Sequence, residues 1–200
     1  MKDQFCAQSG GGGGGGGGGD DDGGGDDDGG GDTSCDALSF VTYSPASYGG
    51  NQDRGSVTVQ NATTLYIRNN AWKSIDLDYT ITPNTVIEFE FGSTIRGEIH
   101  GIGFDNNSSI SSNLTFQLFG TQSWGISAFK NYTNIGFWKA YTIPVGQYYT
   151  GTANRLFFTA DHDGGSRNGN SLFRNIRIYE GSTCVAVLPG EDEPIVLNPT

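Results

Sequence analysis

Oxygen-bearing side chains cluster in two loops, each of which follows a predicted strand. Asp105 and Asn106 lie in the first loop, and Asp161 and Asp163 lie in the second. Hard cations such as calcium bind oxygen atoms from carboxylates, amides and backbone carbonyls, and carboxylates two residues apart converge on one ion when the loop curls. Asp105, Asp161 and Asp163 therefore predict a calcium site. The alternative is that these side chains only cap turns, as aspartate and asparagine often do.

A third stretch combines aromatic rings with amides, because Trp124 and Tyr132 lie in it close to glutamine and asparagine. Sugar rings pack their C–H faces on aromatic rings, while their hydroxyls bond to amides and charged groups. We expect Trp124 and Tyr132 to be exposed and about half of the aromatic residues in this part of the chain to be structural. The predicted carbohydrate-binding residues are Trp124, Tyr132, Trp138, Gln122, Asn131, Asn106 and His162.

The elements that must position these loops are β-strands. β-Branched and aromatic residues recur in short runs broken by Gly, Asn, Asp and Ser, and helical periodicity is nearly absent. In one run Ile87, Phe89 and Phe91 alternate with acidic residues, as in a strand with one buried face. This pattern predicts an all-β protein, a β-sandwich or jelly roll of two antiparallel sheets. The predicted strands are Leu38–Tyr43, Ser56–Gln60, Thr64–Arg68, Lys73–Tyr79, Thr85–Phe91, Gly97–Phe104, Asn113–Phe119, Lys139–Ile143, Arg155–Ala160 and Leu172–Tyr179.

Composition divides the 200 residues into four parts. We expect residues 1–8 to end a preceding segment, 9–34 to be a flexible Gly/Asp-rich linker, 35–184 to be the β-sandwich carbohydrate-binding domain, and 185–200 to be a C-terminal tail. Cys35 and Cys184 flank the domain, and the ends of a sandwich are often close together. A disulfide between them is therefore plausible in a secreted protein, and three free thiols are the alternative.

Net charge excludes one class of partner. The formal charge is -11, but most of the excess acid lies in the linker and the tail. Residues 35–184 are nearly neutral and have no basic patch, which argues against nucleic-acid binding. No run of 18 apolar residues occurs, so we expect no membrane-spanning segment.

Several stretches resemble carbohydrate-binding modules, of the calcium-dependent β-sandwich type, that are appended to secreted bacterial polysaccharide-degrading enzymes. They are the Gly/Asp tether, Ser47–Asp53, Gly97–Asp105, Gly120–Gly125, Asp161–Asp163 and Phe173–Glu180. The resemblance implies a secreted, monomeric, non-catalytic module that binds polysaccharide and anchors a covalently linked catalytic domain on it. It also implies that Asp105, Asp161 and Asp163 hold a calcium ion that contacts the sugar.

Two alternatives remain open at this stage. One is a jelly-roll polysaccharide lyase, since the stretches Glu98–His100 and Lys130–Tyr132 are similar to strands of alginate lyases, in which His and Tyr exchange protons with the substrate. The other is an adhesin-type surface domain, which uses the same fold and linker. The two histidines of the chain, His100 and His162, are too few to favour zinc.

Overall fold

The computed structural model describes residues 36–181 and 193–197. These residues form two antiparallel five-stranded sheets, which confirms the predicted β-sandwich. The strands are β1 (Ala46–Ser47), β2 (Ser56–Asn61), β3 (Thr64–Arg68), β4 (Ala71–Ile81), β5 (Thr85–Gly92), β6 (Ile99–Asp105), β7 (Phe116–Phe119), β8 (Lys139–Ile143), β9 (Gly151–Asp161) and β10 (Asn170–Glu180). Sheet A has the strand order β1-β4-β9-β6-β7 and sheet B the order β2-β3-β10-β5-β8.

The core lies between the two sheets and is aromatic. Phe158 of sheet A packs against Phe173 of sheet B, with 5.1 Å between the ring centroids, and Phe173 packs against Phe91 at 5.3 Å. The alternation along β5 decides which side chains enter the core. Phe89 and Phe91 are fully buried in it, as the sequence predicted.

The predicted strand Leu38–Tyr43 is wrong. Leu38 and Phe40 are buried in the core, but the backbone from residue 40 to residue 42 forms a turn. The backbone amide of Thr42 donates to the carbonyl of Ser39 at 3.0 Å. This segment supplies side chains to the core without joining a sheet. Its alternating apolar residues therefore show the same pattern as a strand. The short strand β1 was missed, because two residues are too few to show periodicity.

The outer face of sheet A carries a second aromatic cluster. Trp72 on β4 and Phe157 on β9 lie on this face beside Tyr48, and the rings of Tyr48 and Phe157 stack at 4.9 Å. Gly103 on β6 makes room for the cluster, because a Cβ atom at that position would lie 2.7 Å from the Phe157 ring and 2.0 Å from the carbonyl oxygen of Leu114. The segment that ends at Leu114 can therefore cross the outer face of β6 in close contact.

Both ends of the chain lie partly outside the described residues. The predicted segments 1–8 and 9–34 fall there, as do Cys35 and Cys184 and hence the predicted disulfide. Part of the predicted tail is described, and residues 193–197 contact sheet B, where Pro194 forms a β-bridge with Phe137. No helix among the described residues is long and apolar enough to cross a membrane.

Candidate functional site

The outer face of sheet A, at its β7 edge, carries a groove of about 330 Å³. One wall is the 3₁₀ helix Ser112–Leu114 and the other is the loop from Ser123 to Ser127. The groove, called the Trp124 groove below, is lined by Ser112, Asn113, Ser123, Trp124, Gly125, Ile126 and Ser127. Its lining therefore combines one indole ring and an aliphatic side chain with hydroxyl and amide groups.

The sandwich holds Trp124 rigidly at this groove. Trp124 is half-buried, and its ring makes an edge contact with Trp72 at 5.8 Å between centroids. The fully buried amide of Gln117 on β7 fixes the loop, because its Oε1 accepts from the Trp124 backbone amide (3.2 Å) and its Nε2 donates to the carbonyl of Gln122 (2.7 Å). Gly125 has φ +94°, a backbone conformation that favours glycine.

Gln122 lies next to Trp124 and is exposed. Its Nε2 donates to Oε1 of Glu98 at 3.0 Å, and Glu98 Oε2 accepts from the backbone amides of Asp163 (2.7 Å) and Gly164 (3.1 Å). The Gly164 amide, with the other donors, holds the pKa of Glu98 below its usual value, against a smaller effect of burial. Glu98 therefore ties the loop that follows β9 to the loop that carries Gln122.

Replacing Glu98 with alanine should release that loop. We expect the backbone amides of Asp163 and Gly164 to exchange hydrogen with solvent faster, because both lose their acceptor. Amide exchange followed by NMR checks this, with the amide of Ile126, which donates to the Thr115 carbonyl at 2.7 Å, as the internal control. Unchanged exchange at Asp163 and Gly164 would show that other contacts hold the loop.

Two of the predicted sugar-binding aromatic residues are buried. Tyr132 is only 4% exposed, and its hydroxyl bonds to the backbone of Ser93 and donates to the carbonyl of Phe137 at 2.8 Å. Its predicted exposure is wrong. Trp138 is 6% exposed, because residues 193–195 pair with residues 136–138 and Ile195 packs against its cluster. Neither ring offers a free face in this structure.

The remaining predicted sugar-binding residues lie apart from Trp124 and Gln122, and each takes part in a hydrogen bond that involves a backbone atom. Asn106 follows β6 and is exposed, and its carbonyl accepts from Asn154 at 3.1 Å. Asn131 is exposed, and its carbonyl accepts from Lys139 at 3.0 Å. His162 is half-buried, and its Nδ1 accepts from the Gly169 amide at 2.9 Å. No described contact connects these three residues to the Trp124 groove.

The three predicted calcium ligands are not brought together. β6 and β9 are antiparallel, with Asp105 opposite Arg155 and Asp161 opposite Ile99. Asp105 and Asp161 thus lie six residues apart along the ladder, which is roughly 20 Å. Asp163 follows Asp161. Within residues 36–181 and 193–197, no three Asp, Glu, His or Cys side chains are grouped to hold a metal ion.

The two buried aspartates are occupied by the protein itself. Asp105 accepts from the Tyr48 hydroxyl (2.6 Å) and from the backbone amides of Asn106 and Asn107, which is the chemistry of a turn cap. Asp161 accepts from the indole nitrogen of Trp72 at 2.9 Å. Burial raises the pKa of Asp161, and the Trp72 bond opposes this. The described residues do not fit a single calcium ion held by all three aspartates.

The groups that suggested a lyase are also inaccessible. His100 faces the core and is fully buried, with Nε2 accepting from the Gly97 amide at 2.6 Å and Nδ1 bonded to the Ser171 hydroxyl at 2.8 Å. Burial lowers the pKa of His100 to about 3. Burial also raises the pKa of Tyr132. The arrangement that proton exchange with a polysaccharide would need is not formed by His100 and Tyr132.

The chain is distantly similar to several solved structures. One is SGBP-B from a complex xyloglucan utilization locus in Bacteroides uniformis, 15% identical over 74% of this chain and 50% of that one, with a TM-score of 0.39. Another is a family 30 carbohydrate-binding module, 15% identical over 69% of this chain and 95% of that one, with a TM-score of 0.35. This chain spans half the length of the first structure. No family model and no curated protein matches the chain.

Likenesses at these identities and TM-scores establish neither a family nor a function. The functional assignment therefore rests on the side chains of this protein. Of the predicted sugar-binding residues, Trp124 lines the groove and Gln122 lies beside it, whereas the groove residues Ser112, Asn113, Ser123 and Ser127 were not predicted. The serines and asparagines that run from residue 106 to residue 113 were the available signal, and the predicted strand Asn113–Phe119 obscured it, since β7 begins only at Phe116.

Proposed function

We propose that this domain is a non-catalytic polysaccharide-binding module whose site is the Trp124 groove. The observation that carries the proposal is a partly exposed indole ring in the wall of a groove otherwise lined mainly by hydroxyl and amide groups. Trp124 offers a flat apolar surface to the C–H face of a sugar. Asn113 and the serines offer donors and acceptors to its hydroxyls, which is how small polar groups orient a ligand.

The charge of the groove favours a neutral sugar. None of its seven lining residues is charged. Two carboxylates are connected to it by described contacts, Asp161 through Trp72 and Glu98 through the Gln122 loop, and both already accept hydrogen bonds from the protein. An acidic glycan would find no cation in the lining to offset the loss of its hydration. We therefore assign the site to uncharged sugar units.

Anchoring follows from the predicted organisation of the chain. A module joined by a flexible linker raises the effective concentration of its neighbour on the same polymer, so that micromolar to millimolar binding is sufficient. The proposal includes a secreted parent protein with a linked catalytic domain. It routes no contact through calcium, because Asp105 lies at the opposite end of the β6–β9 ladder from Asp161 and Asp163.

Co-sedimentation with a panel of insoluble polysaccharides tests the proposed function. We expect retention on at least one neutral polymer, equal retention with and without EDTA, and no release of unsaturated or reducing sugar by the protein. Retention on no polymer would refute the binding role. Loss of retention in EDTA would show that calcium takes part, and product formation would support the lyase alternative.

A further inference from the structure

The outer face of sheet B carries a second groove, of about 220 Å³. Its floor and one wall come from β2, β3, β10 and the residue that precedes β8, and its other wall comes from the C-terminal segment. The groove, called the Arg174 groove below, is lined by Gln60, Asn61, Thr64, Trp138, Arg174, Glu193, Pro194 and Val196. It therefore also combines an indole ring with amide and hydroxyl groups, but here with a cation in addition.

The cation is held in place before any ligand arrives. Arg174 makes two hydrogen bonds to Glu90, from Nε at 3.0 Å and from an NH₂ group at 2.8 Å, and Glu90 is 1% exposed. Asn175 also donates to Glu90, at 2.8 Å. The guanidinium carbon lies 4.2 Å from the ring centroid of Trp138. A guanidinium that is already paired and stacked in this way can donate hydrogen bonds to a further carboxylate with little reorganisation.

A carboxylate of the chain itself fills this position. Glu193 accepts from Arg174 at 2.5 Å, and its side chain is 52% exposed. The segment is further held by two backbone hydrogen bonds, from Trp138 to the Glu193 carbonyl (2.9 Å) and from Ile195 to the Gly136 carbonyl (2.8 Å). Ile195 occupies the space over Gly92, where a Cβ atom would lie 2.5 Å from its Cδ1.

We propose that the Arg174 groove is a second glycan site, for a sugar unit that bears a carboxylate, and that residues 193–195 occupy it when no such glycan is bound. Exchange of Glu193 for a uronic acid leaves the charge balance around Arg174 and Glu90 unchanged. The exchange also uncovers Trp138 for the sugar ring, while Gln60 and Asn61 face its hydroxyls. An ion pair as exposed as that of Glu193 is weak enough to be displaced.

The experiment compares the full chain with its Glu193→Gln variant. Trigalacturonic acid is the probe, the neutral trimer maltotriose is its control, and binding is followed by NMR shifts of backbone amides. Because a self-occupied site lowers the apparent affinity by the fraction of open molecules, we expect Glu193→Gln to raise affinity for the acidic trimer by about tenfold. The shifts should centre on Gln60–Thr64 and Trp138, with none for maltotriose there.

Two further variants make the result decisive. Arg174→Lys keeps a cation beside Glu90 but loses the two-pronged geometry, and in the Glu193→Gln background it should remove the gain. Trp124→Ala should leave the acidic response intact, since Trp124 lies on the other sheet, so failure here and failure of the proposed function are distinguishable. The proposal is overturned if Glu193→Gln does not bind the acidic trimer more tightly, or if both trimers shift the same amides.

Discussion

Trp124→Ala should abolish retention of the protein on the polysaccharide that it binds. The ring is the main apolar surface of the Trp124 groove, and binding sites concentrate their energy in a few such aromatic residues. We expect affinity to fall by at least about tenfold, which corresponds to about 1.4 kcal/mol. Co-sedimentation with the retained polymer, followed by titration with a soluble oligosaccharide of the same sugar, measures the change.

The same substitution also removes the edge contact between Trp124 and Trp72. An aromatic pair contributes about 1 kcal/mol, so the variant should unfold at somewhat lower urea concentration and still fold. Tyr148→Ala is the matched control, because Tyr148 is an exposed aromatic residue (42%) that contacts Phe116 and Phe129 and does not line the groove. Equal retention of both variants and the unsubstituted protein would place the binding site elsewhere.

The strands that alternate were predictable because one face of each is buried. Along β5, Ile87, Phe89 and Phe91 enter the core, while Glu88 and Glu90 lie on the other face, where Arg174 and Asn175 cover Glu90. Period-two patterning carries that information locally. Leu38 and Phe40 are equally apolar and equally buried, but their backbone forms a turn. Burial without sheet pairing leaves the same pattern in the sequence.

The three aspartates predicted to bind calcium are separated for a topological reason. Asp105 and Asp161 both come at the end of a strand, which suggests proximity when the two strands run in the same direction. β6 and β9 are neighbours but antiparallel, so their C-terminal ends lie at opposite ends of the β6–β9 ladder. The order and direction of strands in a sheet depend on pairings between distant residues, and no local pattern around either aspartate records them.

The exposure of the aromatic residues could not be predicted from the sequence, for a similar reason. The predictions for Trp124, Tyr132 and Trp138 rested on their position in or beside loops. Only distant residues decide which of them is covered: Ser93 binds the Tyr132 hydroxyl, and Ile195 packs on the cluster of Trp138. Trp124 stays partly exposed because its neighbours at the groove are mostly small and polar.

His100 should make the stability of the protein fall in mild acid. Its Nε2 accepts from the Gly97 amide, so Nδ1 carries the proton and donates to Ser171. Protonation would place a second donor against the Gly97 amide inside the core. Burial also disfavours the charged imidazolium, and it lowers the pKa of His100 from 6.5 to about 3 in the folded protein.

Between those two pH values the unfolded chain binds a proton at His100 that the folded chain does not bind. The free energy of unfolding should therefore decrease as the pH falls from 6.5 towards 3, by up to about 1.4 kcal/mol for each pH unit. Urea unfolding at pH 7, 6, 5 and 4 measures this slope. His100→Gln retains a donor and an acceptor but does not titrate, so its slope should be smaller, whatever its stability at neutral pH.

His162→Gln is the comparison variant for that experiment. His162 is half-buried in the loop after β9, and replacing it leaves the bonds of His100 to Gly97 and Ser171 in place. The pH slope of His100→Gln should be smaller than that of His162→Gln. If His100→Gln and His162→Gln give the same slope, the proton that destabilises the fold in acid is taken up elsewhere, for example by carboxylates. A smaller slope for His100→Gln alone would instead show that His100, in the stretch similar to a lyase strand, stabilises the core in its neutral form.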